Sequence, residues 1–479
     1  MAAAGRRCST GFTRRLHSTS SGPAPGARTN WCQNVDFKHK RFVTPEDLTE
    51  LQATVAAAPQ VRVLGSGHSF SAVCSSEHTL LSMAYMRKVL EVDFVSDNET
   101  VVFMEGGATL GDVVRHLAPR GMALKNIPSL PHVTIAGALA TSTHGSGLHP
   151  SAPGSIASMC TQIDFVTHDG EVCSYRRAED AEFAASVVHL GALGVVAKIG
   201  LDVVPAYNVD QRVYQSIELD RMLPQFEALA RSVDSLTVGI NFGQQVGLTW
   251  LRYFDGGITP PASDMTLGGE PRHEPIPFYE SHQGVTPTCK GPWHDVPSFF
   301  MEGMQELNMP NTAMQTEYFV PLSLASSALQ AIREVAACWE GWPTSESWTD
   351  LNSSVPVFHC EVRAIAQDGL RGLAPFGDRE SCSIHFTWGN WDHKERIVEM
   401  VKEVEAVLRQ YQARPHFGKF NLMSSEEVAS VYPKDRIEEF KELCVKHDPV
   451  SKFRNQLVQE QIYGGDPTHS ARSMSDLYY

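Results

Sequence analysis

The feature that most constrains this 479-residue chain is a glycine turn set directly behind a strand. Val61-Arg62-Val63-Leu64 is a short run of strand type, and it ends at Gly65-Ser66-Gly67-His68-Ser69-Phe70. Glycines at such a point let successive backbone N–H groups converge, which makes a cradle for an anion such as a pyrophosphate. The turn does not spell GxGxxG, because Phe70 stands where the last glycine would be, so a Rossmann fingerprint is not supported. On its own the stretch also reads as a tight structural turn.

Strands and helices alternate around this turn. Val89–Val95 and Val101–Met104 flank Asp97-Asn98-Glu99 and predict a hairpin. Leu110–Leu117 has helical spacing behind Thr109 as N-cap. Ile163–Thr167 and Val172–Tyr175 flank His168-Asp169-Gly170 as a second hairpin, Ala181–His189 reads as helix, and Gly194–Val204 as strand. Residues 30–206 therefore form one mixed domain. Beyond it the pattern changes. Residues 256–296, rich in Pro, Gly and His, read as a long loop region. Val357–Ile365 and Cys382–Trp388 read as strands, Glu395–Tyr411 as an amphipathic helix, and 425–445 as further helices. The division is 1–29 targeting or disordered, 30–206, 207–420, a C-terminal segment 421–463, and a loose tail 464–479.

The first acidic residue is Asp36, and Arg6, Arg7, Arg14, Arg15 and Arg28 precede it among Ser, Thr, Gly and Ala. Such a start predicts a mitochondrial presequence, a disordered tail in a cytoplasmic protein being the other reading. The formal charge of −15 disfavours nonspecific nucleic-acid binding, which needs clustered Lys and Arg. No apolar run reaches the roughly 18 residues of a membrane span. Ten dispersed cysteines without a CxxC pair predict free thiols and no zinc site.

Two more regions carry chemistry. Ser129-Leu130-Pro131-His132, Gly137, and Thr141-Ser142-Thr143-His144-Gly145-Ser146-Gly147 pack small and hydroxyl residues densely, which suits close approach to a polar ligand or a helix running into a glycine loop. Toward the C-terminus, Glu361 and Arg363 share one face of a strand, and so do His385 and Thr387, because strand side chains alternate. Arg414-Pro415-His416-Phe417-Gly418-Lys419 adds a basic segment. These residues could line one polyol pocket or a solvated face with an ion pair.

Taken in order and with His189-Leu190-Gly191-Ala192-Leu193-Gly194, these segments resemble the vanillyl-alcohol oxidase superfamily with its PCMH-type FAD-binding domain. Within it the chain is similar to the aldonolactone oxidoreductases and, in the Glu-Val-Arg, His-Phe-Thr-Trp and Arg-Pro-His-Phe-Gly-Lys segments, to alditol (xylitol) oxidases. The resemblance runs from about Asn30 to Tyr463. It implies an α+β fold: an FAD domain of two α/β subdomains and a cap domain with a large antiparallel sheet. It implies FAD bonded through its 8α-methyl to His68, with Gly65, Ser66, Gly67 and Ser69 at the pyrophosphate. Further FAD contacts fall on Ser129, His132, Gly137, Thr141, Thr143, His144, Gly147, Val195 and Val196. The polyol pocket falls on Ser129, Glu361, Arg363, His385, Thr387 and Lys419.

The implied reaction is oxidation of a terminal polyol hydroxyl by hydride transfer to flavin N5, with oxygen reduced to hydrogen peroxide. The alternative is an aldonolactone oxidase or dehydrogenase passing electrons to oxygen or another acceptor. Arg363 and Lys419 supply positive charge for the reduced flavin, and Lys419 or His385 serves as base. One departure stands out: the family carries Gly or Ala before the position of Ser129, and here it is Pro128, bulky and rigid enough to hinder oxygen. A flavin-binding scaffold without turnover is the reading from another class, and the polar set around Glu361 argues against it.

Overall fold

The computed structural model describes residues 29–465, except 33–34, 97–98, 150–151, 241, 243–244, 262–264, 274–287, 297–312, 340–356 and 391–392. The first part of the chain contains β1 (Arg41–Val43), α1 (Leu48–Ala57), β2 (Val61–Leu64), β3 (Thr79–Ser82), β4 (Val89–Ser96), β5 (Glu99–Glu105), α2 (Leu110–Leu117), β6 (Met122–Ala123), α3 (Ile135–Ala140), β7 (Cys160–Val166), β8 (Val172–Arg176), α4 (Phe183–Ser186) and β9 (Val195–Pro205). The second contains β10 (Asn208–Glu218), α5 (Leu219–Arg231), β11 (Ser235–Ile240), β12 (Gln245–Phe254), β13 (Glu270–Pro271), β14 (Cys289–Pro292), β15 (Ala313–Pro321), α6 (Ala325–Ala336), β16 (Val357–Ile365), β17 (Ser381–Asn390), α7 (Lys394–Leu408) and β18 (Arg414–Pro415). Then follow α8 (Ser425–Val431), α9 (Lys434–His447) and α10 (Gln456–Val458). Among the described residues no helix is long and apolar enough to cross a membrane. The residues before 29 and after 465, where the presequence and loose tail were placed, lie outside the described residues.

Three sheets organise these elements, giving the expected α+β class. The order β1-β3-β2 is parallel, and β4-β5-β9-β7-β8, with β6 on β9, is antiparallel. The third sheet has nine strands in the order β13-β10-β12-β11-β16-β17-β15-β18, with β14 also on β10. Alternation sorts its two faces. Val362, Ala364, Ile384, Phe386, Tyr318 and Val320 point one way, into a core completed by Leu223, Phe226, Leu329, Ile332, Val401 and Val404 of α5, α6 and α7. The residues between them point the other way, toward the first two sheets. The C-terminal helices return to that first part: Val428, Ile437, Phe440, Leu443 and Val458 share a core with Val102, Leu110, Ile163 and Leu201.

Local signals account for several elements. Thr109 and Asp112 form a reciprocal capping box that starts α2. On α7, Ile397, Met400, Val401, Val404 and Leu408 make the buried stripe. Two expectations change. The helix read over Ala181–His189 is a single turn, Phe183–Ser186. The reason is tertiary: buried Arg62 draws in the carbonyls of Leu190 (2.5 Å) and Gly191 (3.0 Å), and both residues take positive φ, 51° and 69°. The 256–296 loop region also contains two short strands, β13 and β14, paired to β10.

Candidate functional site

The turn after β2 lies against three other segments. Gly67 sits at φ 72°, a left-handed conformation that favours glycine. Its carbonyl accepts from Trp31 N–H at 2.7 Å, and the Trp31 ring stacks on His68 with centroids 5.4 Å apart. Thr134 N–H donates to Ser66 Oγ (3.2 Å), and the His132 ring lies parallel to His68 at 6.2 Å, so the 129–134 loop closes over the turn. Phe70 N–H donates to Gly418 O and Ser71 Oγ to Phe417 O, both at 2.7 Å, which fixes the turn to the segment carrying Lys419. Among the described residues, the N–H groups of Ser66, Gly67, His68 and Ser69 have no hydrogen-bond acceptor.

The sheet supplies the opposite wall. Register puts Gly239, Glu361, His385 and Glu317 in one row across β11, β16, β17 and β15. The next row is Trp250, Thr237, Arg363 and Ser383, and Gln315 faces Thr387. Glu361 and Arg363 form an ion pair, and His385 Nδ1 lies 3.5 Å from Glu361 Oε2. Lys419 Nζ donates to Gln315 Oε1 and sits 4.8 Å from the Phe70 ring centroid. Glu317 accepts from Ser383 Oγ (2.5 Å) and from His144 Nε2 (2.9 Å), which joins the sheet to the 141–147 segment. Ser129, Glu361 and Arg363 line a cavity of about 40 Å³.

Burial sets the electrostatics. It lowers the His68 imidazole to about 3, helped by His132 and Lys419, so the ring is neutral at pH 7. It lowers the Lys419 ammonium to about 8; Glu317 opposes and Arg363 assists. It also lowers His385. Burial works to raise the Glu317 carboxyl, but His144, His385 and His416 hold it well below the usual carboxylate range.

A family profile described as "FAD binding domain" matches residues 39–176, and one described as "D-arabinono-1,4-lactone oxidase" matches residues 302–461. The chain is 29% identical to an alditol oxidase from Streptomyces sp. over 91% of this chain and 99% of that one. It is 25% identical to L-gulono-1,4-lactone dehydrogenase of Mycobacterium tuberculosis and 23% to L-gulonolactone oxidase of Bos taurus, each over 91% of this chain and 98% of the relative. In fold it is similar to a cholesterol oxidase from B. sterolicum, with TM-score 0.70 at 14% identity over 91% of this chain and 96% of that one. The chain is an FAD-dependent oxidoreductase, similar to alditol and aldonolactone oxidases.

The residues of this FAD-dependent oxidoreductase fit the cofactor. The four N–H groups at 66–69 are left without acceptors, as an anion site needs, and His132 Nε2, Ser142 Oγ and His385 Nε2 are buried without hydrogen-bond partners among the described residues. Gly137 and Thr141 sit at either end of α3, with Thr141 Oγ1 on Gly137 O at 3.0 Å, and Thr143 accepts from Ile156 N–H. Val195 and Val196 begin β9 and pair with Val166 and Phe165. Both nitrogens of His144 face acceptors, Glu317 and Gly145 O (2.8 Å), which ties its side chain to the sheet. Gly147 uses its N–H on Ala364 O and its carbonyl on Ala366 N–H, both at 2.8 Å, and a Cβ there would stand 1.9 Å from Ala152 O; close packing of the two layers requires this glycine. Sequence reasoning missed Gln315, Glu317 and Arg252. The signal available for the first two was their i, i+2 spacing, the same one that singled out Glu361 and Arg363.

Proposed function

We propose that this enzyme oxidises a hydroxyl of a small polyhydroxylated substrate in the space between the His68 turn and the polar face of the sheet. The observation that carries the reading is that face: Glu361, Arg363, His385, Thr387 and Gln315 on adjacent strands, with Lys419 beside them. A buried polar group left unpaired costs about 1–3 kcal/mol, so this density fits a substrate that is itself all hydroxyls. Glu361, Thr387 and Ser129 hold hydroxyls, and Arg363 provides positive charge. Lys419 takes the hydroxyl proton. Its value of about 8 lies near working pH, where a general base is most effective, whereas the lowered imidazole of His385 is the weaker base. Bound FAD supplies the two-electron acceptor, and His68, neutral and pressed between Trp31 and His132, offers a ring nitrogen for the bond to the 8α carbon. In this reading residues 30–206 with 421–463 hold FAD, and 207–420 hold the substrate.

The polyol reading is supported by the alditol oxidase likeness. The lactone reading is supported by the profile over 302–461 and by the gulonolactone relatives. Pro128 favours an acceptor other than oxygen, because it is buried directly beside Ser129 where the family has a small residue. Residues 1–29 are proposed as a mitochondrial presequence; import into isolated mitochondria with shortening of the chain supports this, and failure to import removes it. The enzymatic reading is tested by anaerobic bleaching of the yellow protein with xylitol, sorbitol and aldonolactones, followed by air. Bleaching by alditols with fast recovery gives an alditol oxidase. Bleaching by lactones gives the lactone enzyme, an oxidase if air restores the colour and a dehydrogenase if only an added acceptor does. No bleaching by any of them defeats both.

A further inference from the structure

The cavity beside Ser129 contains a charge that the proposed chemistry does not use. Arg252 on β12 lines it together with Thr237, Trp250, Glu361 and Arg363. The positive charge of Arg363 is matched by Glu361, its ion-pair partner. Arg252 has neutral partners: Nε donates to Gln211 Oε1 at 2.7 Å and Nη1 to Thr237 Oγ1 at 3.4 Å. Among the described residues it makes no ion pair, and Glu361 is the one carboxylate in the cavity wall. Burial, with Arg363 adding to it and the Glu361 shared with Arg363 opposing, lowers the Arg252 guanidinium to about 10, so it remains charged at neutral pH.

Two buried guanidinium groups that share one carboxylate leave a surplus positive charge, and a second carboxylate laid against the Arg252 fork offsets its desolvation through charge-assisted hydrogen bonds. A neutral alditol or lactone leaves the charge standing. Arg252 sits one row further along the sheet than Arg363, which itself lies one row beyond Glu361 and His385. The surplus charge therefore lies two rows from Glu361 and His385, on the side away from Gln315 and its partner Lys419.

We infer that Arg252 makes this cavity selective for an anionic polyol: the alcohol oxidised here carries a carboxylate at its far end, as a sugar acid does. The inference rests on the reading that this cavity is the substrate site, and the test separates the two. The holoenzyme is reduced anaerobically with sorbitol, gluconate and gulonolactone, and the second-order rate of bleaching is measured for each. The expected order places gluconate at least about 10-fold above sorbitol, the value of one charge-assisted contact. Arg252→Gln should lower the gluconate-to-sorbitol ratio at least about 10-fold, and Arg252→Lys, which keeps the charge, should restore part of it. An unchanged ratio in Arg252→Gln, or a wild-type enzyme that reacts faster with sorbitol, overturns the inference and leaves polyol oxidation standing. If Arg252→Gln does not fold, the wild-type ratio alone decides. Bleaching by none of the three compounds overturns the underlying reading instead.

Discussion

Lys419 and Arg62 are both buried cations, yet their surroundings give them different tasks. Lys419 titrates near 8 against an ordinary 10.5. As a base it works in its neutral form, which grows as pH rises toward and past 8. The rate of anaerobic flavin reduction should therefore climb with pH and level off above about 8. Lys419→Met should flatten that profile and slow reduction about 10²- to 10⁴-fold, the usual worth of general-base catalysis. A rate that falls above pH 8 would give Lys419 the role of a fixed cation. Arg62 touches no reacting atom. Its guanidinium gathers the carbonyls of Val73, Leu190, Gly191 and Phe453, from three distant parts of the chain. Arg62→Met orphans them, and the protein should lose about 3 kcal/mol or more in urea unfolding. A loss below about 1 kcal/mol would mean that the carbonyls find other donors.

Elements explain what could be read in advance and what could not. The capping box on α2, the hairpin of β7 and β8, and the span of β16 rest on neighbours in sequence, and each is where the spacing puts it. The polar face of the sheet was half visible. Glu361 and Arg363 stand out because Val362 and Ala364 beside them are apolar. On β15 the same alternation is blurred by Thr316 between Gln315 and Glu317, and only pairing with β17, about 70 residues on, shows that they face the site. Arg252 gains its meaning from β16, over 100 residues away, which no local pattern encodes. The short α4 was misread for a related reason: its periodicity is sound, but Arg62 pulls the following carbonyls out of helical geometry. The strand-like contact of Gly147 with Ala364 and Ala366 gives a prediction at this level. Gly147→Ala puts a methyl group on Ala152 O, and should cost about 2 kcal/mol or more and weaken FAD retention. Full stability in that variant would show that the layers have room to separate.

The whole molecule is two layers clasped around one gap. The clasp has protein parts, His144–Glu317 and Gly147–Ala364, and in the proposed enzyme the cofactor is a third. A covalent flavin cannot leave, so the melting temperature of the wild type should not respond to free FAD. In His68→Ala the flavin becomes an exchangeable ligand, extractable by acid. The melting temperature should then rise with added FAD, by the equivalent of about 2.7 kcal/mol at one hundred times Kd. A His68→Ala protein whose flavin still resists acid extraction would remove His68 as the attachment point.

The hydrogen bonds from Phe70 to Gly418 and from Ser71 to Phe417 carry a consequence for redesign. They make the flavin turn and the lysine segment one mechanical piece, although almost 350 positions separate them in the chain. In the proposed enzyme, cofactor attachment and substrate choice are therefore not interchangeable modules. A chimera that brings in a foreign cap will keep its active-site alignment only if residues 414–420 stay with the recipient's flavin turn.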